Sequence, residues 1–236
     1  MVLHRGEKVE VTTFRTDLSY EDGRRPTGVR FSSAREDALR RDFTINGMFH
    51  DPIAHETIDY VGGQEDLARR IVRTIGDPDE RFAEDYLRML RAVRFAEALE
   101  FEIDPDTAEA IRRHADRITS ISGERVYDEM QKMLSQPTAH RALHRLQRLG
   151  LLRAALPELF AEQPHYPRAF FRLEKVARHR DFPLSLAAVL GDLHPRSTRG
   201  ILRRWGASND LRDALRFLGE KLPLWDGAAD LPLCEF

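Results

Sequence analysis

The stretch Glu56-Thr57-Ile58-Asp59-Tyr60-Val61-Gly62-Gly63-Gln64-Glu65-Asp66-Leu67 divides the chain into two textures. Glu56 to Val61 is short, β-branched and aromatic, as a strand is. Gly62-Gly63 supplies a tight turn that a side chain would obstruct, and the acids after it suit the first turn of a helix. Before this point apolar residues alternate with period two. After it they recur with the helical period near 3.6. The expectation is therefore an α+β chain, with a small sheet region first and a helical array after it.

Upstream, Val9-Glu10-Val11-Thr12-Thr13-Phe14 alternates as a half-buried strand should. Asp17 to Pro26 holds Gly and Pro without an apolar period and reads as a loop. Ser33-Ala34-Arg35-Glu36 spells a capping box that opens a short helix. Phe43 to Phe49 and Glu56 to Val61 then form two strands about the Asp51-Pro52 turn. Downstream, Asp77-Pro78 and Asp104-Pro105 each place a capping carboxylate before proline at a helix start. The helix expected over 79–98 carries Phe82, Tyr86, Met89, Leu90 and Val93 within about a 100° arc, a stripe that faces a core. Division into residues 1–62, 63–160 and 161–236 follows from these changes of texture.

With 42% hydrophobic residues in 236, the chain can bury a sizeable core. No apolar run reaches the length of a membrane span, and the N-terminus lacks a signal-peptide core. One cysteine, Cys234, excludes an internal disulfide and a cysteine-based metal site, which fits a reducing cytoplasm. The net charge of −2 does not announce a nucleic-acid binder. Its distribution says more. Between Glu129 and Glu158 there is no acid, while Lys132, His140, Arg141, His144, Arg145, Arg148 and Arg153 all fall there. Such an interval suits phosphate contact through Arg141, Arg145 and Arg148, and equally suits a solvated helix face.

Two stretches carry candidate chemistry. In Arg40-Arg41-Asp42-Phe43-Thr44-Ile45-Asn46-Gly47-Met48, Arg41 can grip phosphate with a forked hydrogen bond. Asp42 can accept from a ribose hydroxyl, and Asn46 can donate and accept. In Glu84-Asp85-Tyr86-Leu87-Arg88-Met89-Leu90-Arg91-Ala92-Val93-Arg94-Phe95, Asp85, Arg88, Arg91 and Arg94 step by three along the helix. They offer a carboxylate and guanidinium pair to a nucleobase edge, with further arginines for a triphosphate, or else a salt-bridged solvent face. Ser122-Gly123-Glu124-Arg125-Val126-Tyr127-Asp128-Glu129-Met130 reads as a helix start whose charged residues brace a neighbour.

In this order and spacing, these stretches resemble the motifs of the bacterial (class II) nucleotidyltransferase family of CCA-adding enzymes and poly(A) polymerases. The resemblance covers roughly residues 5–160. It implies a partial nucleotidyltransferase head over 1–62, a helical neck with the nucleotide-reading helix over 63–160, and a helical body over 161–236 that is a candidate for RNA binding. It also implies template-independent addition of C and A, or of A alone, to RNA 3′ ends, with tRNA, CTP and ATP as partners. Asp85 and Arg88 match the family's base-reading pair, Arg41, Asp42 and Asn46 its ribose and phosphate motif, and Arg91 and Arg94 its further nucleotide contacts. The family's magnesium-binding Asp-x-Asp belongs upstream of Val9, where eight residues stand. Asp77-Pro78-Asp79 and Asp104-Pro105-Asp106 are read as helix caps, so no catalytic residue is assigned, and Glu10 is at most a neighbour of such a site. The chain alone is then expected to be inactive, and a non-catalytic RNA-binding module is the alternative. Ala187-Ala188-Val189-Leu190-Gly191-Asp192-Leu193-His194 resembles a phosphohydrolase His-Asp metal motif with glycine in place of the histidine, and reads as a buried helix end.

Overall fold

The computed structural model describes residues 2–4, 7–9, 11–17, 20–21, 25–26, 29–161 and 166–227. Glu10, Cys234 and parts of the 17–26 loop lie outside them. Short strands dominate up to Asp59 and helices after it, and the strands pair as two-stranded ladders. Val2–His4 pairs with Glu7–Val9, Arg15–Asp17 with Val29–Phe31, Tyr20–Glu21 with Arg25–Pro26, and Met48–Asp51 with Glu56–Asp59, all antiparallel. A parallel pair, Ile71–Val72 with Glu102–Ile103, ties the helical region to itself. Between residues 80 and 227 the described residues hold no longer strand than that two-residue piece.

Two strand expectations need correction. Val11–Phe14 is not a strand, because no neighbouring strand among the described residues offers it a ladder; pairing begins at Arg15. Phe43–Phe49 is not one strand either. Phe43 makes a single bridge to Thr74, Thr44–Asn46 is a 3-10 turn, and the strand starts at Met48. The cause is local: Asp42 Oδ1 accepts from the Phe43 N–H and the Asn46 side chain, both at 3.0 Å, and curls the backbone.

Other local readings hold. Ser33 and Glu36 form the capping box of the Ala34–Leu39 helix. Asp77 and Asp104 cap the helices Pro78–Glu84 and Pro105–His114, each with proline in its first turn. Gly62 takes φ 79° at the entry to the Gly63–Arg69 helix. A Cβ on Gly63 would lie 2.3 Å from the Thr44 carbonyl oxygen, so only glycine lets the helix start against the 3-10 turn.

Asp59 closes the same corner by accepting from the backbone N–H of Val61, Gly62 and Gln64 at 2.9–3.0 Å. Burial opposes its ionisation, but these backbone donors outweigh it and hold the carboxyl below its ordinary 3.8. A lowered folded value means stability that is fully present above the unfolded value and lost as pH falls through the folded one. Asp59→Ala should therefore lower the melting temperature at pH 7, and its deficit against the parent should shrink in melts below about pH 3.8. An equal deficit at pH 7 and pH 2 would remove the ionised carboxylate from this account.

The helical array comprises Leu87–Leu99, Gly123–Leu134, Ala139–Arg148, Tyr166–Val176, Phe182–Leu190, Pro195–Arg204 and Asn209–Gly227, with shorter helices between. The stripe of Phe82, Met89, Leu90 and Val93 is fully buried, and Met130, Leu134, Leu143 and Leu146 pack into the same continuous core. That core runs from Phe43 to Leu215, so the strand region and the helices share it. No helix among the described residues is long and apolar enough to cross a membrane.

Candidate nucleotide site

The helix expected over 79–98 is broken. It ends at Glu84, passes through Asp85 in an extended conformation, and resumes at Leu87. The Asp85 side chain makes the restart possible, because Oδ1 accepts from the Leu87 N–H at 3.1 Å. The break aims the second segment so that its outer edge meets the Arg40-Arg41-Asp42 loop.

That meeting is direct. Arg91 places Nε 2.7 Å and Nη2 2.6 Å from Asp42 Oδ2, across 49 residues of sequence. The other Asp42 oxygen holds the Phe43 N–H and Asn46 Nδ2. Arg81 adds a second tie: its guanidinium donates to the carbonyls of Ile75 and Leu39, joining the first helix segment to the same loop. Arg41 donates to Asn46 O at 2.8 Å and to the buried Asp37 carboxylate at 3.1 Å, and lies 4.9 Å above the Phe49 ring. Arg40 reaches the same Asp37.

Asp85 and Arg88, the pair offered to a nucleobase edge, do not bond to Arg41 or Asp42. Here they turn to other partners. Asp85 Oδ2 accepts from Arg125 Nη2 at 2.7 Å. Arg88 is 8% exposed and donates to Glu84 Oε2 at 2.5 Å and to the Arg81 carbonyl at 2.9 Å. Arg94 donates to the buried Glu129 at 2.6 Å and stacks 4.1 Å over Phe95. These residues are thus not an unpaired solvent face. Each charge has a charged partner in the chain, and the partners Asp37, Glu84, Arg125 and Glu129 complete the constellation. Arg125 fits the bracing role read from sequence. Asp37 and Glu129 had no signal there beyond their i+4 and i+3 spacing to Arg41 and Lys132.

A second polar rail supports the loop. Thr44 Oγ1 donates to Asp66 Oδ2 at 2.7 Å, Arg73 bridges Asp66 and Asp104, and Asp104 Oδ2 accepts from the Thr107 N–H. Asp104 is therefore occupied as a cap and an ion-pair partner. Asp77 Oδ1 accepts from the Asp79 and Glu80 N–H groups, and Asp79 binds Arg113 and His114. The first aspartate of each Asp-x-Asp spelling is thus taken up as a helix cap. No group of three or more His, Cys, Asp or Glu among the described residues is arranged to hold a metal ion.

The basic interval is partly neutralised by acids from the preceding helix and strand. Arg145 is buried between Glu97, at 2.5 Å, and Glu102, at 3.0 Å. Burial works against its charge, and the two carboxylates outweigh it, leaving the guanidinium pKa raised. Arg141 meets Glu100 at 3.0 Å and makes ion contact with Glu97 Oε2 at 3.1 Å, although that oxygen gains no hydrogen bond from it. Of the three arginines read as phosphate contacts, only Arg148 is exposed without a carboxylate partner among the described residues. Arg145 is a correction: Glu97 and Glu102 lie far from it in sequence and claim it. In the last helices, Asp192 pairs with Arg172, and His194 caps Pro195–Arg204. The glycine-substituted motif is a helix end, as read.

Comparison with known proteins finds relatives along the chain. Residues 1–73 match the poly A polymerase head domain, and residues 100–162 match the probable RNA and SrmB-binding site of polymerase A. A CCA-adding enzyme of Bacillus licheniformis is 46% identical over 182 residues, which are 75% of this chain and 45% of that one. A CCA-adding enzyme of Geobacillus stearothermophilus is 42% identical over 215 residues, 90% of this chain and 52% of that one. The chain spans about half the length of these relatives. The crystal structure of Bacillus stearothermophilus CCA-adding enzyme in complex with CTP superposes with a TM-score of 0.58 at 33% identity, covering 94% of this chain and 66% of that one. These matches show that the chain belongs to the family of CCA-adding tRNA nucleotidyltransferases and bacterial poly(A) polymerases.

Proposed function

We propose that the chain is the nucleotide-reading and RNA-holding part of a cytoplasmic nucleotidyltransferase that adds C and A to tRNA 3′ ends from CTP and ATP. The observation that carries this reading is the Asp42–Arg91 contact, which joins the phosphate and ribose motif to the base-reading helix at 2.6–2.7 Å. Arg41, Arg91 and Arg94 would meet the triphosphate, Asp42 and Asn46 the ribose, and Asp85 with Arg88 the base edge. All but Asn46 carry a charge already paired within the chain, so a nucleotide enters by exchange. Its phosphates replace Asp42 at Arg91, and its base edge replaces Glu84 at Arg88 and Arg125 at Asp85. Arg148 and the half-exposed Arg141 would face RNA phosphate.

Magnesium, when bound, would neutralise triphosphate charge and help activate the attacking hydroxyl. The described carboxylates do not fit it: those in both Asp-x-Asp spellings serve as caps or ion-pair partners, or stand alone on a helix, as Asp106 does. No step is therefore assigned to the metal on this chain. The expected result is that the chain alone, given magnesium, CTP and ATP, adds no nucleotide to a tRNA ending before its CCA. Supplying a head segment with a paired-carboxylate site, in cis or in trans, should start incorporation. If RNA binds but the added head restores nothing, the second reading, a non-catalytic RNA-binding module supported by the match over residues 100–162, replaces the first.

A further inference from the structure

The Pro195–Arg204 helix separates its residues sharply by face. Ile201, Leu202 and Trp205, its C-cap, are buried, while Arg196, Arg199, Gly200 and Arg203 are exposed. At about 100° per residue the three arginines fall within about 60° of one another, opposite the buried side. None of the three has a carboxylate partner among the described residues, whereas their neighbour Arg204 is paired with Glu158 at 2.6 Å. This contrasts with the nucleotide site, where every arginine is paired. Arg204 also donates to the Ala155 carbonyl at 3.3 Å, so one residue pins the helix and leaves the other three outward. Its anchor points, Ala155 and Glu158, lie inside the interval 100–162 that matches an RNA-binding family model. Gly200 stands beside the stripe, about 40° outside its arc, with nothing within 4 Å of a Cβ placed there, so the helix backbone itself is open to close approach.

We propose that this arginine stripe is an RNA-backbone contact that extends the binding surface beyond residue 162 onto the Pro195–Arg204 helix. The charge is of one sign and unpaired among the described residues, and the helix that carries it is fastened to the matched interval through Arg204. Arg196 to Arg203 spans about 10 Å at 1.5 Å per residue, the axial length of about three phosphates on one strand of a regular duplex. Arginine without a fixed carboxylate suits phosphate, which it holds with two parallel hydrogen bonds. The contact reads no sequence; it sets position along the stem. This inference rests on the RNA-holding part of the proposed function and not on nucleotide reading.

The test is a salt titration of binding between the full chain and a tRNA transcript ending before its CCA, without nucleotide. For R196A/R199A/R203A the dependence of log K on log salt should flatten by about 3, with affinity about tenfold weaker or more at low salt. The matching triple lysine variant should keep most of the parental slope. G200E places a carboxylate beside the stripe and should weaken binding too. Glutamate is a better helix former than glycine, so that loss cannot come from an unfolded helix. A triple variant with the parental slope overturns the proposal and leaves the stripe to another partner, such as an acidic protein surface. If the parent binds no tRNA, both this inference and the RNA-holding reading fall. If the parent binds and only the stripe variants are silent, only this inference falls.

Discussion

Truncating Glu97 to alanine should cost the fold about 3–5 kcal/mol, read as a lowered midpoint in urea unfolding. The Glu97 side chain is 3% exposed and its principal partner Arg145 is 9% exposed, and they meet at 2.5 Å. Removing the carboxylate strands a guanidinium that is largely shielded from water and keeps only Glu102, itself largely exposed. The cost is the desolvation of a charge that has lost its partner, which exceeds the value of the pair itself. The double variant E97L/R145M removes both charges at similar volume and should recover most of the loss. Total stability is about 5–15 kcal/mol for a domain, so the single variant should be visibly unstable at 37 °C. A loss below about 1 kcal/mol for E97A would mean that water reaches the site and the pair behaves as a surface one. The effect bears on the proposed function because Glu97 and Arg145 fasten the Leu87–Leu99 helix, proposed to read the nucleotide, to Ala139–Arg148 in the RNA-matched interval.

What sequence could reveal here followed from whether the governing interaction was local. The capping box at Ser33, the proline-led helix starts at Asp77 and Asp104, and the buried stripe from Phe82 to Val93 depend on residues within a turn or two. Each was legible. The helix break at Asp85 was less so, since Asp85 looks equally at home on a helix surface and at a cap. Its Arg125 partner lies 40 residues away and supplies the tie that periodicity cannot show. Arg145 shows the same limit in the basic interval. A run without acids looks free to meet phosphate until Glu97 and Glu102 arrive from another element. The Pro195–Arg204 stripe is the opposite case: its i, i+3, i+7 spacing was present in the sequence, but no known motif pointed to it, and only the exposure of all three arginines gave it meaning. The candidate site was thus legible as a set of residues, and its pairing was not.

That pairing gives the last expected result its form. In a protein completed by a catalytic head, Arg88→Ala should change the choice between CTP and ATP, with a loss of about 1–3 kcal/mol for the base that uses its donors. This corresponds to roughly 5–150-fold in kcat/KM at 1.4 kcal/mol per tenfold. Because Arg88 is held by Glu84 at 2.5 Å before any base arrives, Glu84→Gln should weaken that hold without removing the donor. A base edge that exchanges with Glu84 predicts that E84Q loses discrimination less than R88A does. Arg91→Ala should behave differently. It frees Asp42 and removes a phosphate contact, so both nucleotides should bind more weakly by a similar factor, and the deficit should shrink as salt is raised. The split between a specificity effect at Arg88 and a uniform, salt-dependent effect at Arg91 is the observable that matters. Were R88A to slow CTP and ATP addition equally, its contacts to Glu84 and the Arg81 carbonyl would be its whole role, a brace across the helix break, and base reading would have to be assigned elsewhere on the chain.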